Sequence, residues 1–390
     1  MSFHPIVRTL MGPGPSDVHP RILSALARPT IGHLDPEFIR LMDEVKQLLQ
    51  YAFQTKNELT LPISAPGSAG MEACFVNLIE AGDQVIVCQN GVFGGRMQEN
   101  VSRLGAQAIM IIDDWGTAVD LDKVKQAIKD NPNVKALAFV HAETSTGVCS
   151  DAAALCQLAR ENDLLSIVDT VTGLAGVEVC VDSWQADAVY SGTQKCLSCV
   201  PGLSPVTFSE RAQRVISERS SMVSSWFLDM NLIMEYWGQG SQRAYHHTAP
   251  VNALYALHES LIMLKDEGLK QSWERHTHNH LALRAGVESL GLSLVVKKQD
   301  RLPQLNAVSV PDGIDEALVR KQLLEEYNLE IGAGLGQLAG KIWRIGLMGY
   351  SSRPENVRLC VQALETVLVS QGYQCDTGRA VEAVNKHYGT

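Results

Sequence analysis

Two ionisable residues stand at the ends of apolar runs, where a charge needs a partner. Asp169 closes LLSIVD, and Lys195 follows DAVYSG within SGTQK. A strand-end aspartate taken alone is equally a helix cap or a turn residue, and an isolated lysine is ordinarily a solvated surface charge. As a pair they supply both parts of Schiff-base chemistry. That chemistry needs an amine kept neutral by a desolvated site and a carboxylate that holds the pyridine nitrogen of a cofactor protonated. The spacing leaves room for one strand and a loop between them.

Further residues fit around this pair. Ala65-Pro66-Gly67-Ser68-Ala69-Gly70 lies between an expected strand and an expected helix. Backbone N–H groups at such a helix N-terminus form an anion site suited to a 5′-phosphate, although a Gly/Ser-rich stretch is also simply a turn. Ser191 and Gln194 offer extra donors. Arg344 is a cation inside the apolar KIWRIG, where an unpaired charge is costly. It therefore faces either a cleft or a strand neighbour, and its planar fork suits the carboxylate of an amino acid. Tyr245-His246-His247-Thr248, ahead of Ala249-Pro250, gathers four polar groups at a helix entry.

Three patterns imitate other chemistries. Gly334-Leu335-Gly336-Gln337-Leu338-Ala339 has dinucleotide-fingerprint spacing but leads into Lys341 and a strand, so it reads as a glycine loop over a ligand. Cys196-x-x-Cys199 lacks a second pair at zinc-ligand spacing. His276, His278 and His280 lie on a helical stretch without the Glu of H-E-x-x-H and read as a solvated face. No metal site is expected.

The elements that must position these residues alternate. LTLPIS, VIVC, AQAIMII, VKALAFV, LLSIVD, DAVYSG and SPVTF predict seven strands of one mostly parallel sheet. Helices are expected from Ser68, from Gly91, near 121–129 and at about 151–162. In such an α/β sheet, ligands sit at the carboxyl ends of the strands. The last third changes to longer helical patterns, at about 250–289, 315–325 and 354–369, with NAVSV, LEIG and KIWRIG between them. Residues 1–261 are thus expected to form an N-terminal segment and large domain, and residues 262–390 a smaller α+β domain.

Composition sets the bounds. The chain has 390 residues, 45% hydrophobic and 19% charged, as in a folded enzyme with room for a buried site. A net charge of -10 without a basic run argues against nucleic-acid binding. No apolar stretch is long enough to span a membrane, the N-terminus lacks a signal pattern, and the C-terminal Tyr-Gly-Thr is no peroxisomal address. Nine cysteines without framework spacing suit a reducing compartment. The expectation is a cytoplasmic protein.

Together GPGPS at 12–16, the Gly67-Ser68 loop, HAETSTG at 141–147, IVD ending at Asp169, SGTQK ending at Lys195, YHHT at 245–248 and WRIG at 343–346 resemble the class V aminotransferases. The resemblance is to the alanine:glyoxylate (serine:pyruvate) aminotransferase family, in order from about residue 10 to 370. It implies the fold type I architecture of pyridoxal 5′-phosphate (PLP) enzymes. It also implies transamination between alanine or serine and glyoxylate or pyruvate, and a homodimer with shared active sites. Lys195 then looks like the Schiff-base lysine, Asp169 the partner of the pyridine nitrogen, and Gly67, Ser68 and Gln194 the phosphate ligands. Phe93 stands at the ring-stacking position, Thr144 beside ring and substrate, and Arg344 at the substrate carboxylate. Tyr245 and Thr248 match residues that reach the neighbouring subunit's phosphate, and His33, in IGHLDPEF, is a candidate substrate contact.

Pro66 stands where that family has a hydroxyl residue, and Phe93 where it has Trp. KIWRIGLMGYSSRPENV and the C-terminal tail are similar to the ureidoglycine:glyoxylate branch, whereas Tyr245 in YHHT is similar to the alanine:glyoxylate branch. A lyase or desulfurase on this fold would need a thiol on a mobile loop, and Cys196 and Cys199 stand too close behind Lys195 for that. A PLP-binding protein without turnover would have no use for Arg344.

Overall fold

The computed structural model describes residues 2–238 and 243–389. The seven expected strands form one sheet: β1 (Leu59–Ile63), β2 (Gln84–Gln89), β3 (Gln107–Ile112), β4 (Val134–Val140), β5 (Leu165–Asp169), β6 (Ala188–Tyr190) and β7 (Ser204–Phe208). Their spatial order is β1-β7-β6-β5-β4-β2-β3. All neighbours run parallel except β7, which is antiparallel to both β1 and β6. β1, β5 and β7 are buried along their whole length. Strands covered on both faces read as near-continuous apolar runs, which explains why the sequence pattern found them. Helices Gly67–Leu78, Val92–Arg103, Leu121–Asp130 and Ala152–Glu161 connect them.

A second, antiparallel sheet combines β8 (Leu305–Ser309), β9 (Gly332–Ala333) and β10 (Ile342–Gly346), with β10 in the middle. Helices Glu316–Tyr327, Pro354–Ser370 and Arg379–Tyr388 pack with it around a core that contains Trp343, Ile345, Leu364 and Val384. The first core, around the large sheet, is separate from it. The stretch at 250–289 is two helices, Val251–Glu267 and Leu269–Ser289, parted at Gly268, whose φ of 90° lies in the region that favours glycine. The second helix contributes Leu269 to the first core and Ala282, Leu283 and Val287 to the second. Met11 belongs to the second core, and Thr9–Leu10 pairs in parallel with Leu329–Glu330.

The histidines of that helix correct an expectation. His276 and His280 do not lie on a solvated face; both are buried. His276 Nε2 accepts from the Gly349 backbone N–H at 2.9 Å, and His280 Nδ1 lies 2.6 Å from Asn306 Oδ1. Residues four apart share a helix face, and here that face meets the second sheet and the turn after β10. Among the described residues no cluster of His, Cys, Asp and Glu could hold a metal ion, and no helix is long and apolar enough to cross a membrane.

Candidate active site

The parallel strands end on one edge, and the ionisable pair sits there. Asp169 is the last residue of β5 and is 2% exposed. Its Oδ1 accepts from the Val171 N–H at 2.8 Å and its Oδ2 from the Tyr190 hydroxyl at 2.8 Å. Burial pushes the Asp169 carboxyl up to about 6, opposed by those two donors and by Lys195.

Lys195 lies beyond β6 in an irregular loop and is 9% exposed. Its Nζ donates to the Pro13 carbonyl. Burial brings its amine down to about 8, with the Arg344 and Arg96 charges acting in the same sense and Cys196 and Asp169 against it. The N-terminal segment closes over it. A Cβ at Gly14, whose φ is 101°, would come within 2.6 Å of Nζ, so glycine is required both by the backbone and by the lysine. Ser16 fastens the same segment, its backbone N–H donating to the Gln194 carbonyl and its hydroxyl to the Lys195 carbonyl.

The third member comes from the second sheet. Arg344, in the middle of β10, is 7% exposed. Its Nε donates to the Ala333 carbonyl at 2.6 Å and one terminal nitrogen to the Thr144 carbonyl at 3.2 Å. Burial lowers it to about 10, and the Glu143 carboxylate opposes the shift. The salt-bridge alternative does not hold: among the described residues no carboxylate lies within ion-pair distance of this guanidinium. Its hydrogen bonds are to carbonyls, which leave the positive charge without a direct counter-charge.

The segment His141–Gly147 joins these parts. Thr144 is buried, and its hydroxyl bonds that of Thr172 in the turn after Asp169. Glu143, fully buried, accepts the Phe93 N–H at 3.2 Å with Oε2 and the Ser145 N–H and hydroxyl with Oε1. Ser145 in turn accepts the Val92 N–H at 3.0 Å. The pair caps the Val92–Arg103 helix in place of Gly91, where a Cβ would come within 2.3 Å of Glu143. Burial pushes Glu143 up to about 7. Phe93, on the first turn of that helix, is half-buried beneath the Arg96 guanidinium at 4.8 Å.

The Gly67–Leu78 helix begins at the carboxyl end of β1 without a side-chain cap at Pro66. Gly67 is buried against Ser191 and Gly192, and Ser68 is exposed on the first turn. The Gln194 side chain lies against Gly192, and its buried Oε1 has no hydrogen-bond partner. The Ser191 hydroxyl is not free to serve an anion there, because it donates to the Thr170 carbonyl at 3.1 Å. PLP fits this arrangement: an uncapped helix start, an orphaned polar atom beside it, a desolvated amine and a buried carboxylate lie along one strand edge.

His33, Tyr245 and Thr248 are gathered elsewhere. The His33 ring lies 5.3 Å from Tyr245 and 6.2 Å from Tyr236, and the Tyr245 hydroxyl is 3.4 Å from that of Thr248. Tyr245 and Thr248 are exposed. The cluster meets the loop between β1 and the Gly67–Leu78 helix through His247, whose Nε2 is 2.7 Å from the hydroxyl of Ser64. Within one chain His33 makes no bond to Lys195, Asp169 or Arg344 among the described residues. The CxxC thiols are unpaired and buried, both pushed up to about 12 by burial, as inert thiols are. Gly336–Leu338 is a single turn packed against Trp115, not a helix start for a dinucleotide.

Tyr190, Glu143 and Pro13 were missed in the sequence. Tyr190 directly precedes SGTQK, and Glu143 is a charge at the end of an apolar run, the same signal that exposed Asp169.

Comparison with known proteins finds relatives over nearly the whole chain. The family model "Aminotransferase class-V" matches residues 21–356. The crystal structure of ureidoglycine-glyoxylate aminotransferase from Bacillus subtilis superposes with a TM-score of 0.97 at 39% identity, covering 100% of both chains. That of alanine-glyoxylate aminotransferase from Nostoc sp. gives 0.91 at 46% identity, over 94% of this chain and 98% of the other. The alanine-glyoxylate aminotransferase of Felis catus is 38% identical over 93% of this chain and 87% of its own. The chain therefore belongs to the class V aminotransferases, PLP-dependent enzymes of fold type I.

Proposed function

We propose that this enzyme moves an amino group from alanine or serine to glyoxylate or pyruvate, in two half-reactions at one site. The observation that carries the reading is the buried Arg344 without a carboxylate partner, at the edge that holds Lys195 and Asp169. Arg344 binds the carboxylate of each substrate in turn, so that donor and acceptor must share a small 2-amino or 2-oxo acid skeleton. Lys195 Nζ, neutral once pH exceeds about 8 and more readily so than an exposed lysine, would move the Cα proton of the donor to the cofactor carbon that keeps the amino group, and in the second half-reaction would move a proton from that carbon to Cα of the acceptor. Asp169 holds the proton on the ring nitrogen; Gly67, Ser68 and Gln194 hold the phosphate, Phe93 covers the ring face, and Thr144 stands beside the substrate. When bound, PLP supplies the aldehyde that carries the amino group and the ring that accepts the electron pair.

A second reading, amino transfer from (S)-ureidoglycine to glyoxylate, is favoured by the full-length superposition on the Bacillus subtilis enzyme, which extends through the helix Arg379–Tyr388. The two are separated by the visible spectrum of the purified holoenzyme, titrated with alanine, serine or ureidoglycine in the absence of an acceptor. Bleaching of the cofactor band by alanine or serine supports the first reading and bleaching by ureidoglycine alone the second. A spectrum indifferent to all three overturns both.

The finer parts of the reading have their own supports. A homodimer with shared sites is supported by Tyr245 and Thr248, exposed beside the anion loop, and by exposed apolar side chains at Phe3, Ile6, Val7, Met222 and Trp226. His33 joins that cluster, which supports a place for it beside the shared site. The nine free cysteines suit the cytoplasm. The two hydrophobic cores support a large and a small domain with the change near residue 262, but Met11 of the N-terminal segment packs in the second core and not with the large domain.

A further inference from the structure

Tyr190 is a fully buried phenol whose hydroxyl donates to Asp169 Oδ2. It is the last residue of β6, in register beside Asp169 at the end of β5. It grips the neighbouring strand twice, because its carbonyl also accepts the N–H and the hydroxyl of Thr170, both at 2.9 Å. From the other side it is held by the anion-loop helix. A Cβ at Gly70 would lie 1.9 Å from Ser204 Oγ and 3.3 Å from the Tyr190 Cβ, so glycine lets the helix settle on β7 and on the strand position of Tyr190. So held and buried, the phenol aims its proton at Asp169.

We propose that Tyr190 is a positioning residue for amino transfer, fixing the Asp169 carboxylate and keeping the shared proton on the ring nitrogen of the cofactor. The inference rests on the reading of Asp169 as the partner of that nitrogen. The proton between a carboxyl and a ring nitrogen has two homes. On nitrogen it leaves a carboxylate and a cationic ring that draws electrons; on oxygen it leaves a neutral ring that draws them poorly. A donor on Oδ2 stabilises the carboxylate and so favours the first. Burial of Asp169 works in the opposite sense, and the Val171 N–H is the other donor that resists it. With Phe at position 190 the shape is kept, one of the two donors is lost, and the proton shifts toward Asp169.

The test uses holoenzyme carrying PLP labelled with nitrogen-15 in the ring, read by NMR, beside steady-state kinetics. In Tyr190→Phe the ring nitrogen signal moves toward the unprotonated position. kcat falls about 10- to 100-fold, as expected for a hydrogen bond to a charged group, while KM for the amino acid changes less than about threefold because Arg344 is untouched. Enzyme with 3-fluorotyrosine at 190 keeps the donor and restores both the protonated signal and most of kcat. A protonated nitrogen and normal kcat in Tyr190→Phe overturn the proposal, as does a loss of kcat shared equally by the fluorotyrosine enzyme, which marks a packing role. A nitrogen still protonated in Asp169→Asn overturns the underlying reading of Asp169 instead.

Discussion

Two buried polar regions of this molecule are treated in opposite ways. In the seam between the two cores, His276 receives the Gly349 N–H, His280 meets Asn306, and Asn279 donates to the Ser352 carbonyl. Every one of these groups is neutral and paired. At the strand edge, by contrast, Lys195 and Arg344 are satisfied by backbone carbonyls and Asp169 by an N–H and a phenol. Paired neutral groups fix the relation of two parts of a fold, whereas buried charges that make no direct ion-pair contact store an appetite for a ligand. Burial alone does not separate structural from reactive polar residues; the charge state of the partners does.

The comparison can be broken at either region. Lys195→Ala removes the base at the edge, and transamination should fall by about 10²- to 10⁴-fold or more; single-turnover kinetics with the loaded enzyme measure it, and near-normal turnover would end the assignment. Arg344→Lys keeps the charge but not the fork. kcat/KM for the amino acid should fall about 10- to 100-fold, with KM rising, while the affinity for PLP in equilibrium dialysis stays within about threefold.

The seam responds to pH instead. Burial holds His276 down to about 3 and His280 down to about 4, against an ordinary value of 6.5. Between those limits the unfolded chain binds protons that the native one does not, so their stabilisation is complete above about 6.5 and is lost as pH falls toward 3 to 4. Each histidine steepens the loss by up to about 1.4 kcal/mol per pH unit. His276→Leu should lower stability at pH 7 by about 1–3 kcal/mol, because the Gly349 N–H loses its acceptor, yet flatten the acid limb by one proton. Denaturant unfolding of the cofactor-free protein at pH 5 and pH 7 checks both signs. The smallest effect is expected for Thr248→Ala, which should weaken PLP retention by less than about tenfold while leaving the half-reaction rate at saturating PLP unchanged.

The two regions also differ in how far they were legible. The strands of the large sheet were visible as apolar runs, and Asp169 and Arg344 stood out because a charge in or at the end of such a run is costly. The antiparallel sense of β7 was not visible, since SPVTF has the same composition in either direction. The two-residue pairing of Thr9–Leu10 with Leu329–Glu330 is too short to leave a period, and the helix Arg379–Tyr388 buries only Ala380 and Val384. His276 and His280 were misjudged because sequence marks a shared helix face without saying what covers it. Tyr190 was hidden because a tyrosine in a buried strand reads as packing, and its partner is set by the register between strands. The placement of His33 with Tyr245 depended on chain reversals that no local pattern encodes.

The N-terminal strap over Lys195 has a consequence for biosynthesis. Arg8 donates to the carbonyl of Leu324, 316 positions away, Met11 donates to Glu330, and Gly346 donates to Met11. At ribosomal rates of about 5–20 residues per second, the strap waits roughly 15–65 seconds for these partners to be synthesised. The large sheet can be assembled from its own strands in that interval, but the roof over the lysine cannot be anchored. The strap is thus translated before the strands of the large sheet and fastened after them.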